Sequence, residues 1–195
     1  MSIAPGLILA STSVYRRELL ARLKIPFEVR RPEVLEDLRA HEGAQQRAER
    51  LALAKAEAVA ALAPTAVVIG ADQVAACEDR ILDKPGNASA ARLQLRQQSG
   101  RTAQFYTAVA VLHRDRAFAD CFLDRTSVVL RSLRDREIDA YLAADEPFDC
   151  AGALRSEALG ISLCESIVTS DPTALIGLPL IRLAASLRAC GFHVP

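Results

Sequence analysis

Three groups of side chains in this sequence are of the types that hold phosphate and activate water. Ser11, Ser13, Arg16 and Arg17 lie in the run L-I-L-A-S-T-S-V-Y-R-R-E-L-L at 7–20. The run reads as an apolar strand that passes through a hydroxyl-rich turn into a helix. Such a turn offers backbone N–H groups, the positive end of a helix dipole and two guanidinium forks in one place, a combination that holds polyphosphate. Serine capping beside a solvated arginine face accounts for the same residues. The second group is Asp72 and Gln73, expected at the carboxyl end of a strand over 65–71, with Lys84 shortly after. It sets a carboxylate suited to proton transfer near an ammonium suited to phosphate, although an isolated Asp-Gln is equally ordinary turn chemistry. The third is Lys55, on a helix among alanines beside Glu57, where a solvated position is the simpler reading.

The basic residues add one pointer. Of 24, 21 are arginine, and lysine stands only at Lys24, Lys55 and Lys84. A chain that uses arginine almost everywhere gives some weight to the places where it keeps a compact ammonium. The 24 basic and 24 acidic residues cancel, so no global field draws the chain to nucleic acid or to an anionic membrane, and anion selectivity must be local. Five cysteines, odd in number, widely spread and without a CxxC, fit reduced thiols better than a disulfide framework or a zinc site. No apolar run approaches the roughly 20 residues that span a bilayer, and no secretory leader is evident, so a cytoplasmic protein is expected. His41, His113 and His193 fall in no motif, and surface positions are expected for each.

The elements that must position these residues follow from periodicity and punctuation. At 195 residues the chain suits one α/β domain over 1–195, folded as two lobes with a well-buried core. Strands are expected at 7–10 and 27–31, with an amphipathic helix over 14–24 between them that turns Leu19, Leu20 and Leu23 inward. A long helix over 43–62 precedes the β-branched run at 65–71. Asn87 is a plausible N-cap for a helix over 88–98 that closes at Gly100. Two long strands over 103–112 and 117–130 flank a hairpin at 113–116. Ser132 with Asp135 reads as a capping box for a helix over 133–143. The stretch C-A-G-A-L-R-S-E-A-L-G at 150–160 reads as a site-forming turn between short strands, and a last helix falls within 173–190, with Pro179 starting or kinking it.

Taken together, the order and wording of these pieces resemble the Maf family of nucleoside triphosphate pyrophosphatases along nearly the whole chain. The matching motifs are L-A-S-T-S-x-x-R-R-E-L-L at 9–20, Lys55 in L-A-x-x-K-A, I-G-A-D-Q at 69–73 and Lys84-Pro85. Ser99-Gly100, Phe105-Tyr106-Thr107, Ala151-Gly152, Glu157 with Gly160, and Gly177-Leu178-Pro179 extend the match. The resemblance is greatest to the YceF-type branch, which acts on 7-methyl-GTP. It implies a Maf-like fold, a mixed twisted sheet with flanking helices in two lobes around a nucleotide cleft. It implies that Asp72 accepts a proton, and that Arg16, Arg17, Lys55 and Lys84, with Ser11 at the turn, bind the triphosphate. Tyr15, Gln73 and Glu157 would select the base. A divalent cation, Mg²⁺ or Mn²⁺, would bridge phosphate oxygens to carboxylates, with Asp72 and Glu36 as its ligands. The partner implied is a nucleoside triphosphate, with no nucleic acid and no membrane, and a homodimer is compatible with it.

Two positions depart from the branch. Tyr15 stands where it usually carries tryptophan, which reduces stacking area. Leu35 occupies the first place of an acidic pair of which Glu36 is the second, and Glu33 and Asp37 flank it. The expected reaction is hydrolysis between the α- and β-phosphates, giving a nucleoside monophosphate and pyrophosphate. A nucleotide-binding regulator of cell division, or a dTTP/UTP pyrophosphatase of the same family, is the alternative. A P-loop NTPase is disfavoured, since no GxxxxGK[ST] occurs.

Overall fold

Two continuously buried strands, with an exposed third beside them, build the first of two compact units in the computed structural model, which describes residues 5–195. The first four residues of the expected domain lie outside that range. The unit runs to Asp72 and adds Thr107–Asp124 and Asp171–Pro195. It holds β1 (Leu7–Ala10), α1 (Val14–Ala21), β2 (Glu28–Arg30), α2 (Ala44–Ala60) and the first part of β3 (Val67–Cys77). Strand β1 pairs in parallel with β2, and on its other side with β3, with Leu7 opposite Val67 and Ala10 opposite Gly70.

Strands covered on both faces read as continuous apolar runs, and here the pleat sorts the two faces. Leu7, Leu9, Val67, Ile69 and Ala71 join Leu19, Leu20, Leu183 and Leu187 in one core cluster. Ile8, Ala10 and Val68 join Ala56, Val59 and Ala60 of α2 in another. Gly70 lies on the α2 side, where an added Cβ would stand 2.3 Å from the Ala52 carbonyl oxygen and 2.5 Å from the Ala56 nitrogen. The missing side chain lets backbone meet backbone. Gly70→Ala is therefore expected to cost about 1–3 kcal/mol through overpacking, a fall of roughly 3–10 °C in Tm for a chain of this size. A thermal melt checks this, and an unchanged Tm would mean that α2 yields freely at that point.

The second unit comprises Gln73–Tyr106 and Arg125–Ser170. The end of β3 pairs antiparallel with β4 (Arg80–Leu82). Helix α3 (Ala88–Gln98) opens on Asn87, whose side chain accepts from the Ala90 N–H at 2.9 Å as expected. Two long strands follow, β5 (Thr102–His113) and β6 (Phe118–Leu130), then α4 (Asp135–Asp145) and β7 (Cys164–Val168), and the chain returns to the first unit for α5 (Leu180–Ala189). Strand β7 pairs antiparallel with the end of β6. The strand order β2-β1-β3-β5-β6-β7, with β4 paired to β3 off that path, makes a mixed seven-stranded sheet, so the expected α/β class holds. Strands β3, β5 and β6 each contribute residues to both units.

Several expected boundaries move. Helix α1 stops at Ala21, and the chain leaves it through Lys24 in the left-handed region at φ 56. Strand β3 does not end before Asp72 but runs on to Cys77, because Val74, Ala75 and Cys77 are buried and find a partner in β4. Helix α4 begins after Arg134, whose N–H donates to Glu137 at 2.8 Å, so Glu137 and not the Ser132–Asp135 pair completes the cap. The 150–160 stretch lies between α4 and β7 and carries 3-10 turns, Ala151–Ala153 and Leu159–Leu163, instead of separating two strands. His113 is 4% exposed at the end of β5, where surface placement was expected. All five cysteines are free.

Candidate active site

The pleat that turns Gly70 toward α2 turns Asp72 the same way, and the small residues Ala52 and Ala56 keep that helix near. Lys55, one position before Ala56, then reaches the strand: its Nζ donates to Asp72 Oδ1 at 2.6 Å. Both residues are 7% exposed. Lys55 is therefore no solvated helix residue, contrary to the simpler reading of its neighbourhood. Facing each other offsets the cost of taking a carboxylate and an ammonium out of water.

A second carboxylate meets the same ammonium, with Glu36 Oε1 at 2.7 Å from Lys55 Nζ. Glu36 comes from the irregular segment after β2, and its side chain remains 53% exposed. Arg50, further up α2, fastens this segment: it donates to Glu42 at 2.5 and 2.6 Å and to the Asp37 carbonyl at 3.2 Å. The Glu42 contact is what raises the Arg50 pKa above its ordinary value. Glu33 pairs loosely with Arg31 at the surface, 3.9 Å away. Of the three acids considered near Leu35, Glu36 is the one that reaches Lys55.

The strand-to-helix turn completes this cluster. Ser11, 3% exposed, accepts from the Ser13 N–H at 3.1 Å, and Ser13 caps α1 by accepting from the Arg16 N–H at 3.4 Å. Arg16 Nε donates to the Gly177 carbonyl at 3.1 Å, and Gly177 adopts φ 123, a conformation that favours glycine. Burial pulls the Arg16 pKa below its usual value, while the charges of Asp72 and then Glu36 act in the opposite sense. Gly177 thus positions the guanidinium, a role that its place in a motif did not reveal. Tyr15 is partly buried and Arg17 exposed in the first turn of α1. Asp171, 3% exposed, accepts from Thr173 N–H at 2.8 Å and from Ile181 N–H at 2.7 Å, which fixes the start of α5 beyond Gly177.

The remaining predicted residues belong to the second unit. Gln73 follows Asp72 on β3 and is partly buried, and Lys84 is exposed after β4. Glu157 lies in the segment between α4 and β7, its Oε1 3.8 Å from Arg155 Nε. The structure thus brings Arg16, Glu36, Lys55 and Asp72 into one charged cluster of the first unit.

Two carboxylates converging on one ammonium suit a small divalent cation, because Mg²⁺ is held by one or two protein carboxylates and completes its shell with water and substrate phosphate. Among the described residues no group of three or more His, Cys, Asp or Glu side chains stands ready to hold a metal by itself. The donor set of Asp72 and Glu36 fits the first arrangement.

An α/β chain with a buried lysine–aspartate pair beside a serine- and arginine-bearing turn has the parts of a phosphate-handling protein. It belongs to the Maf-like protein family, whose model matches residues 6–190. A 7-methyl-GTP pyrophosphatase of Albidiferax ferrireducens is 54% identical over 96% of this chain and 94% of its own length. One from Xanthomonas oryzae pv. oryzae is 51% identical over 98% of this chain and 100% of its own length, and one from a Polaromonas species is 54% identical over 95% and 84%. Among solved structures, the Staphylococcus aureus Ham1 protein aligns at a TM-score of 0.45 with 17% identity, covering 64% of this chain and 71% of that one, a likeness too loose to bear on function.

Proposed function

We propose that this chain is a nucleoside triphosphate pyrophosphatase that hydrolyses 7-methyl-GTP between its α- and β-phosphates, releasing 7-methyl-GMP and pyrophosphate. The observation that carries the reading is the buried Asp72 carboxylate with Lys55 at 2.6 Å, in a chain at least half identical to proteins that bear that activity in their names. Asp72 takes a proton from the attacking water, and water's oxygen forms the new bond to the α-phosphorus as the bond to the bridging oxygen breaks. A triphosphate that draws Lys55 to its own oxygens frees the Asp72 carboxylate from its ion pair and leaves it open to the attacking water. Arg16, Arg17 and Lys84 offset the charge that gathers on the leaving pyrophosphate, which is where phosphoryl transfer gains most from a protein. Asp72 and Glu36 would hold a divalent cation, Mg²⁺ or Mn²⁺, which neutralises phosphate charge when bound.

Base selection falls to Glu157, Tyr15 and Gln73. N7-methylation leaves a delocalised positive charge on guanine, which favours stacking on Tyr15 and a carboxylate at the Watson–Crick edge. Glu157 can accept from both N1–H and the exocyclic amine, with Gln73 adding its amide. Glu157→Gln replaces one acceptor by a donor at constant size, so kcat/KM for 7-methyl-GTP should fall about tenfold or more, with UTP and dTTP little changed, given roughly 1.5–3 kcal/mol for a charged hydrogen bond. Tyr15→Ala should narrow the gap between 7-methyl-GTP and GTP, since a cation over an aromatic face gains about 0.5–2 kcal/mol that a neutral purine lacks. Steady-state kinetics on 7-methyl-GTP, GTP, UTP and dTTP test both, and an unchanged profile in Glu157→Gln would reject the base-selecting role.

We place the reaction in the cytoplasm, a reducing compartment that suits five free cysteines. No helix among the described residues is long and apolar enough to cross a membrane.

A further inference from the structure

The segment that carries Glu157 is held from below by a side chain to which neither the motifs nor the proposed mechanism gives a role. Tyr141, on α4, is 1% exposed. Its O–H donates to the Ala153 carbonyl at 3.1 Å, and its oxygen accepts from the Arg155 N–H at 2.9 Å. Burial pushes the phenol's pKa up, so it keeps the proton that this double role needs. The backbone it grips is not one the chain adopts freely: Gly152 has φ 65 and Ala153 φ 54, a region uncommon for a residue with a Cβ. Gln98, fully buried on α3, adds a second hold by donating to the Gly152 carbonyl at 2.8 Å. Gly160 closes the segment, since a Cβ there would stand 2.5 Å from the Arg155 carbonyl oxygen. Arg155 in turn sets its guanidinium Nε 3.8 Å from the Glu157 carboxylate.

We propose that Tyr141 is a positioning residue for base selection: by clamping Ala153 and Arg155 it fixes the direction in which Glu157 presents its carboxylate to the purine. The proposal rests on the reading of Glu157 as the group that selects the base. A buried hydroxyl that both donates to and accepts from one strained segment leaves that segment a single low-energy path. Without the hydroxyl, a carbonyl and an N–H lose their partners and the segment relaxes, while phosphate contacts made elsewhere are untouched.

The test is Tyr141→Phe, measured as the ratio of kcat/KM for 7-methyl-GTP to that for UTP, alone and combined with Glu157→Gln. The ratio is expected to fall about threefold to tenfold in Tyr141→Phe, with UTP turnover within about twofold of wild type, and to show no further fall when Tyr141→Phe is added to Glu157→Gln. Amide hydrogen exchange supplies an independent readout, with the Arg155 N–H expected to lose protection in Tyr141→Phe. An unchanged ratio in a selective wild type, an equal loss on both substrates, or the same fall in the Glu157→Gln background would overturn the positioning role. If the wild type shows no preference for 7-methyl-GTP over UTP, the base-selecting reading of Glu157 falls, and this proposal with it.

Discussion

Asp72→Asn is expected to lower kcat about 10²–10⁴-fold on every nucleotide, the range that a positioned proton acceptor contributes, while nucleotide binding remains measurable. The substitution keeps the volume of a residue that is 7% exposed and removes the carboxylate that takes the proton. Folding should survive, because Lys55 keeps Glu36 at 2.7 Å as a counter-ion, so an ammonium is not left buried alone. Single-turnover kinetics beside equilibrium binding separate the two effects. A folded Asp72→Asn protein with wild-type kcat would remove Asp72 from the chemistry.

Lys55→Met is expected to be the more damaging change to the fold. It retains a long apolar stem but leaves the Asp72 carboxylate, 10% exposed in its side chain, without the ammonium that stood at 2.6 Å. Breaking a buried pair by removing one partner typically costs about 3–5 kcal/mol, since the remaining charge is uncompensated. The asymmetry between the partners is itself a prediction. Adding Asp72→Asn to Lys55→Met should recover part of the lost stability, and a denaturant double-mutant cycle measures how much. Whatever the base, hydrolysis should fall in Lys55→Met and in Lys84→Ala, because an ammonium on phosphate does not read the nucleobase. A mutant of either lysine that altered base preference alone would break the division between phosphate and base contacts.

How far the site could be read in the sequence follows from how regular its carriers are. Strand β1, the cap at Asn87 and the entry to α5 behind Pro179 were legible because a continuous apolar run, a capping side chain and a proline each impose local geometry. The burial of Lys55 is written in the helix period, not in its immediate neighbours: Ala48, Leu51, Ala52, Lys55, Ala56 and Val59 form one buried stripe, and a lysine on it must meet a carboxylate. Asp72 and Gln73 read as a strand end because Asp and Gln are common turn residues, yet the apolar run resumes at Val74 and Ala75 and carries β3 on. Glu36 could be named as a candidate but not chosen on geometry, since an irregular segment has no period to project, and its placement depends on Arg50 and Lys55 reaching across from α2. Gly177 and Tyr141 act through long-range contacts, 161 residues away in the first case, and distances of that kind leave no trace in local pattern.

Every site role above depends on this chain splitting 7-methyl-GTP at the α–β anhydride. The most direct test is to incubate the purified protein with 7-methyl-GTP and Mg²⁺, to identify the products by chromatography, and to rank kcat/KM against GTP, UTP and dTTP. The expected products are 7-methyl-GMP and pyrophosphate in equal amounts, with 7-methyl-GTP ranked first. Release of 7-methyl-GDP and orthophosphate, or a protein that ranks UTP or dTTP first, would contradict it.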